Sequence, residues 1–198
     1  MLDQNYVTAV HEIGHAVIAH SLGVKIQGIH IGSTEEYPDA KGVCLIQWNG
    51  ASNPKYMILT SLAGLVAEWM LLRKEDECDL DEDDLDVFLW LHEFVDDITD
   101  IEEEFGIYCF DLPDLVEDCL KPLLERLQAD WSAVLKVAKK LQKKGFLDRE
   151  EFIRLYYRYS SLEDKLIRKR LEPLRLPDGG YMPAYYDLVM QQLHSIPS

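Results

Sequence analysis

The stretch that decides the reading is Val10-His11-Glu12-Ile13-Gly14-His15-Ala16. On an α-helix, residues four apart stand one above the other, so the imidazoles of His11 and His15 can reach one metal ion. Glu12 leans to the same side and is placed to act on a water molecule held there. A His-Glu-x-x-His pattern of this kind needs a helix beneath it and a third ligand from another element.

The flanking sequence supplies the helix. Asp3 is suited to an N-cap, and from Gln4 to Ser21 there is no proline and one glycine before Gly23, which reads as the stop. Tyr6, Val10, Ile13 and Val17 recur at spacings of three and four, a core-facing stripe beside the two histidines. Gly14 costs such a helix about 1 kcal/mol relative to alanine. That cost predicts another backbone, or a ligand, passing close to it.

Further along, residues 25–31 and 42–48 alternate as strands do, with a polar segment containing Pro38 between them. Asn53-Pro54 starts a second helix that runs to about Arg73, in which Ala63 and Gly64 make a narrow face for close packing on the first. After an acidic connection, 84–104 reads as a third helix. Pro113 begins another helical stretch, Pro122 is expected to break or kink it, and Leu123 to Lys144 continues it as far as Gly145. Asp148-Arg149-Glu150-Glu151 is a capping box for a helix to about Tyr159. Beyond it, 160–171 reads as a basic helix, 173–183 as a loop and 184–194 as a final short helix. The fold class expected is mainly α (α+β), with a β-hairpin or small sheet between the motif helix and the second helix.

The 198 residues carry a formal charge of −16, unevenly spread. Between Glu75 and Asp118 there are 20 acidic side chains and no Lys or Arg, whereas Lys121 onward holds 15 of the 20 basic residues. An acidic middle repels phosphate backbones and anionic lipid, so no nucleic acid is expected as a partner. Met57 to Leu72, the most apolar run, contains Glu68 and is too short to span a bilayer, so no membrane insertion is expected either. The N-terminus has no secretory signal pattern, and Cys44, Cys78, Cys109 and Cys119 show no CxxC spacing. A cytoplasmic protein with reduced cysteines is the expectation. His20, His30 and His92 read as surface or satisfied core histidines, and Trp48, Trp69, Trp90 and Trp131 as core aromatics.

A catalytic zinc takes three protein ligands and leaves one position for water. With His11 and His15 as two, the candidates for the third are Glu68, Asp79, Asp81, Glu82, Asp83 and Asp84, all hard oxygen donors among which spacing does not choose.

The chain resembles the peptidase domain of FtsH-type ATP-dependent zinc metalloproteases. The likeness rests on His11, Glu12, Gly14, His15 and Ala16, then on Gly42-Val43 and Gln47, on Ala63-Gly64-Leu65-Val66-Ala67-Glu68, and on Asp84-Leu85, in that order. It extends through 135–155, with Gly145-Phe146-Leu147-Asp148-Arg149-Glu150-Glu151, and so covers about residues 1–157. The resemblance implies a zincin-like helical peptidase domain with Zn2+ on His11, His15 and Asp84, and Glu12 as the general base. It makes Glu68 a carboxylate that supports the ligands. Asp81-Glu82-Asp83 stands where the family has small and polar residues, which leaves Asp83, Asp81 and Glu68 as alternative third ligands.

The domain reading is an FtsH-like zinc peptidase domain over 1–157 and a basic C-terminal extension over 158–198, helical and packed on that domain. The implied function is a stand-alone zinc metalloendopeptidase acting on peptides or unfolded protein segments. The sequence shows no GxxxxGK[ST] phosphate loop, so threading of folded substrates would need an ATPase partner in trans. The alternative is a catalytically idle zinc-binding interaction module that keeps the fold. Neither the oligomeric state nor the donor that would stabilise an oxyanion is legible in the residues.

Overall fold

The computed structural model describes residues 2–48, 54–75 and 112–160. The third helix expected over 84–104, the acidic connection before it and the basic extension beyond residue 160 lie outside the described residues, as does the Asn53 cap. Among the described residues the chain is mainly helical, with a small three-stranded antiparallel sheet. In chain order the elements are α1 (Gln4–Ser21), β1 (Lys25–Ile31), β2 (Gly42–Gln47), α2 (Pro54–Glu75), α3 (Leu112–Ala129), α4 (Trp131–Lys144), β3 (Phe146–Asp148) and α5 (Arg149–Tyr159).

α1 is the hub. The Asp3 carboxylate accepts the Asn5 N–H at 2.8 Å at its start. At its end Gly23 takes φ 72° while its N–H donates to the His20 carbonyl and that of Val24 to the Ala19 carbonyl. This pair of bonds satisfies two otherwise orphaned carbonyls, and the left-handed backbone is what selects glycine. Twelve of the eighteen residues of α1 are buried, because α2, α4 and the sheet pack around it.

α2 comes close to the α1 backbone at Gly14. A Cβ there would stand 2.5 Å from the Ala63 carbonyl oxygen and 2.7 Å from the Ala67 Cβ. The backbone approach expected from the sequence is therefore present, and the small residues Ala63 and Ala67 make it.

The sheet runs β2-β1-β3. β1 and β2 pair from Lys25↔Gln47 to Ile31↔Gly42, with a bulge between Ile26 and Gly28, and Ile29 and Leu147, both fully buried, pair across β1 and β3. The sequence reading missed β3. Its three residues follow the left-handed Gly145 that ends α4, and the last of them is Asp148, whose carboxylate caps α5 by accepting the Glu151 N–H at 2.8 Å. A run this short carries no alternation of its own.

Of the break or kink expected at Pro122, the break is corrected. The proline neither ends nor divides α3, which continues through it to Ala129. Proline in a helix interior costs about 3 kcal/mol. Leu120, Leu123, Leu124 and Leu127 are buried on both sides of it, each contributing about 1.5–3 kcal/mol, so burial outweighs the lost bond. The break comes instead at Asp130, read from the sequence as helix interior. Its carbonyl starts α4 by accepting from the N–H groups of Ala133 and Val134. Its carboxylate is drawn away to Arg126, whose NH1 donates to it at 3.0 Å, and to the Tyr156 hydroxyl, which donates to the same oxygen.

Arg126 also donates from NH2 to the Tyr156 hydroxyl at 2.7 Å and from Nε to Ser21 Oγ at 3.1 Å. Burial alone would lower the Arg126 pKa, but Tyr156 and Asp130 outweigh it and hold the guanidinium charged. The network ties α1, α3 and α5 at one end of the core. Tyr156→Phe keeps the ring stacked on Phe152 but leaves buried donors and acceptors unmatched. It is expected to cost about 1–3 kcal/mol, read as a lowered urea midpoint.

Candidate metal centre

α1 and α2 run antiparallel past one another at the motif, so each histidine meets a different level of α2. His15 Nδ1 lies 2.6 Å from the Thr60 carbonyl oxygen, and His11 Nδ1 lies 3.2 Å from Glu68 Oε2. A carbonyl oxygen and a carboxylate both accept, so each Nδ1 carries the proton and donates it. In the neutral form of such a ring the lone pair is on Nε2, the arrangement by which partners on one nitrogen prepare the other to bind a metal.

The two Nε2 atoms converge on the backbone of Gly64. A Cβ built on that residue would be 2.5 Å from His11 Nε2 and closer still to His15 Nε2. The rings stand edge to face, centroids 4.7 Å apart and planes at 73°. His11 is partly exposed and His15 buried, so the space between them opens on the His11 side.

Glu12 is buried, 6% exposed, and faces the start of β2. A Cβ on Gly42 would meet Glu12 Oε1 at 2.8 Å and the Thr8 methyl at 2.7 Å, so glycine at 42 lets the strand lie against the motif helix. The Cys44 thiol is pushed well above its ordinary pKa by burial and then by the Glu12 carboxylate beside it. It stays a neutral thiol near pH 7, unsuited to nucleophilic work.

The structure thus brings His11 and His15 together, holds Glu12 beside them on the same helix, and places Glu68 on the far nitrogen of His11. Asp84, Asp83 and Asp81 lie outside the described residues. Among the described residues no set of three metal-binding side chains is formed, Glu68 included. Two features were not read as parts of the site in the sequence. The Thr60 contribution is a backbone carbonyl, to which side-chain identity gives no clue. Gly64 stood out only as a small packing residue, although its place four residues after Thr60 and four before Glu68 puts all three on one face of α2.

Comparison with known proteins returns no matching family model and no matching curated protein. The donor set therefore has to be judged on its own chemistry. Two imidazoles with fixed Nδ1–H groups, Nε2 atoms facing a common space and a cradle that any side chain at 64 would fill suit a divalent ion that accepts nitrogen ligands.

Removing the carboxylate that orients His11 is expected to weaken, not abolish, metal binding. Glu68→Ala should lose about 10–100-fold in zinc affinity by calorimetric titration. Complete loss, matching that of His11→Ala, would make Glu68 a ligand.

Proposed function

We propose that this chain is a zinc metallopeptidase of zincin-like arrangement, hydrolysing peptide bonds in peptides or unfolded protein segments. The observation that supports it best is the pair of imidazoles whose Nδ1–H groups are engaged and whose Nε2 atoms converge, on the same helix as the buried Glu12. A solely structural site would favour four closed ligands and would gain nothing from a carboxylate on the motif helix.

His11 and His15 would hold the ion, with Asp84 as the third ligand. When bound, Zn2+ supplies Lewis acidity and brings the pKa of water at the site to about 7. Glu12 accepts a proton from the attacking water and returns it to the leaving amine. Its burial between α1 and β2 excludes bulk solvent from that exchange and keeps the carboxylate from swinging away. Glu68 and the Thr60 carbonyl keep the two rings in one tautomer and orientation throughout.

β2 is the outer strand of the sheet and begins against Glu12, and among the described residues no strand pairs with its other edge. An extended substrate would add to that edge by backbone hydrogen bonds and so lie alongside the motif helix. Among the described residues no helix is long and apolar enough to cross a membrane. The substrate class we propose is chain that is already unfolded, with folded proteins requiring an ATPase acting in trans.

Two experiments test this. Metal analysis of the parent and Glu12→Gln is expected to find zinc in both, with cleavage of an unfolded protein substrate only by the parent. Zinc without cleavage in either, across varied substrates, would falsify the peptidase reading in favour of an idle zinc module. Leu45→Pro, on the outer strand, is expected to abolish cleavage with zinc content unchanged, and full activity in that variant would remove β2 from substrate binding.

A further inference from the structure

We infer that Gly64 is a positioning residue of the metal centre: its missing side chain opens the Thr60 carbonyl to His15 and leaves one common space for both Nε2 atoms. The inference rests on the metal-site reading above, and it concerns a residue that touches neither substrate nor reacting atoms.

Three observations carry it. Gly64 lies inside the 22-residue α2, where glycine costs about 1 kcal/mol relative to alanine, and it is not among the glycines with positive φ. Backbone conformation therefore does not explain it. The contact between α2 and the α1 backbone does not explain it either, because that contact is made by Ala63 and Ala67 against Gly14, and both have side chains. The nearest atoms to a Cβ at 64 are instead His15 Nε2, His11 Nε2 and His11 Cδ2, so the space left by glycine is occupied by the two imidazoles.

The third observation is directional. Side chains on a helix lean toward its N-terminus, so a side chain at 64 would cover the turn that contains Thr60. The Thr60 carbonyl has two lone pairs. One serves the helix, and the other receives the His15 Nδ1–H at 2.6 Å. Glycine four residues later keeps that second lone pair accessible. The same absence that admits the rings thus also selects the tautomer of His15, which ties metal readiness to a single small residue on the partner helix.

The test begins with the metal-free parent, whose imidazole nitrogens are read by long-range 1H–15N NMR well above the histidine titration range. His11 and His15 are expected as Nδ1–H tautomers, and an Nε2–H tautomer at His15 overturns the inference. Gly64→Ala is expected to move His15 out of that tautomer and to lower zinc affinity by at least about 10–100-fold. Tyr156→Phe, destabilised at the other end of α1, should keep zinc affinity within a few-fold of the parent. A folded Gly64→Ala that binds zinc as the parent does, with His15 unchanged, overturns the inference. If the parent binds no zinc, the metal-site reading fails, while the NMR comparison still decides what Gly64 does to His15. If Gly64→Ala does not fold, the parent spectrum decides.

Discussion

Two helices lie so close at Gly14 that a carbonyl of one stands where a side chain of the other would be. Much else follows from that contact. It brings the Thr60 carbonyl and the Glu68 carboxylate within reach of the two imidazoles of the motif helix. A wider spacing would break the buried bond from His15 Nδ1 to the Thr60 carbonyl, a cost of about 1–3 kcal/mol. Packing and site geometry are therefore one constraint, set by glycine on α1 and by alanine and glycine on α2.

The far end of α1 is held by different means. There the chain relies on charge, with Arg126, Asp130, Tyr156 and Ser21 matched donor to acceptor. A buried ion pair contributes little beyond what well-packed apolar groups would, but it penalises wrong arrangements heavily. It also explains why α3 and α4 are two helices: the Asp130 side chain serves Arg126 and Tyr156 while its backbone turns the chain.

The parts of the fold that show in the sequence are those written in local terms. Asp3, Gly23, Gly145 and Asp148 mark helix ends through their own backbones and side chains, α1, β1 and β2 follow from periodicity, and α2 follows from the proline at its first position. β3 and the break at Asp130 do not show, because they depend on residues far along the chain: Ile29 for the strand, Tyr156 for the turn. Pro122 does not break its helix for the same reason, since its local penalty is outweighed by buried leucines. Within the site, His11, Glu12 and His15 are legible from spacing alone. The supports for the two rings are less so, because one is a main-chain oxygen and another the absence of a side chain.

The burial of α1 has a mechanical side. A helix surrounded by α2, α4 and the sheet opens only when the core opens, so its imidazoles share the stiffness of the interior. Ring positions on such a scaffold vary little with what approaches from solvent, and an incoming molecule has to conform to them. Structural variation is left to what borders α1, the outer strand β2 first of all. A lineage could vary that border freely while the helix at the centre stayed almost unchanged, since a substitution there costs stability before it alters chemistry.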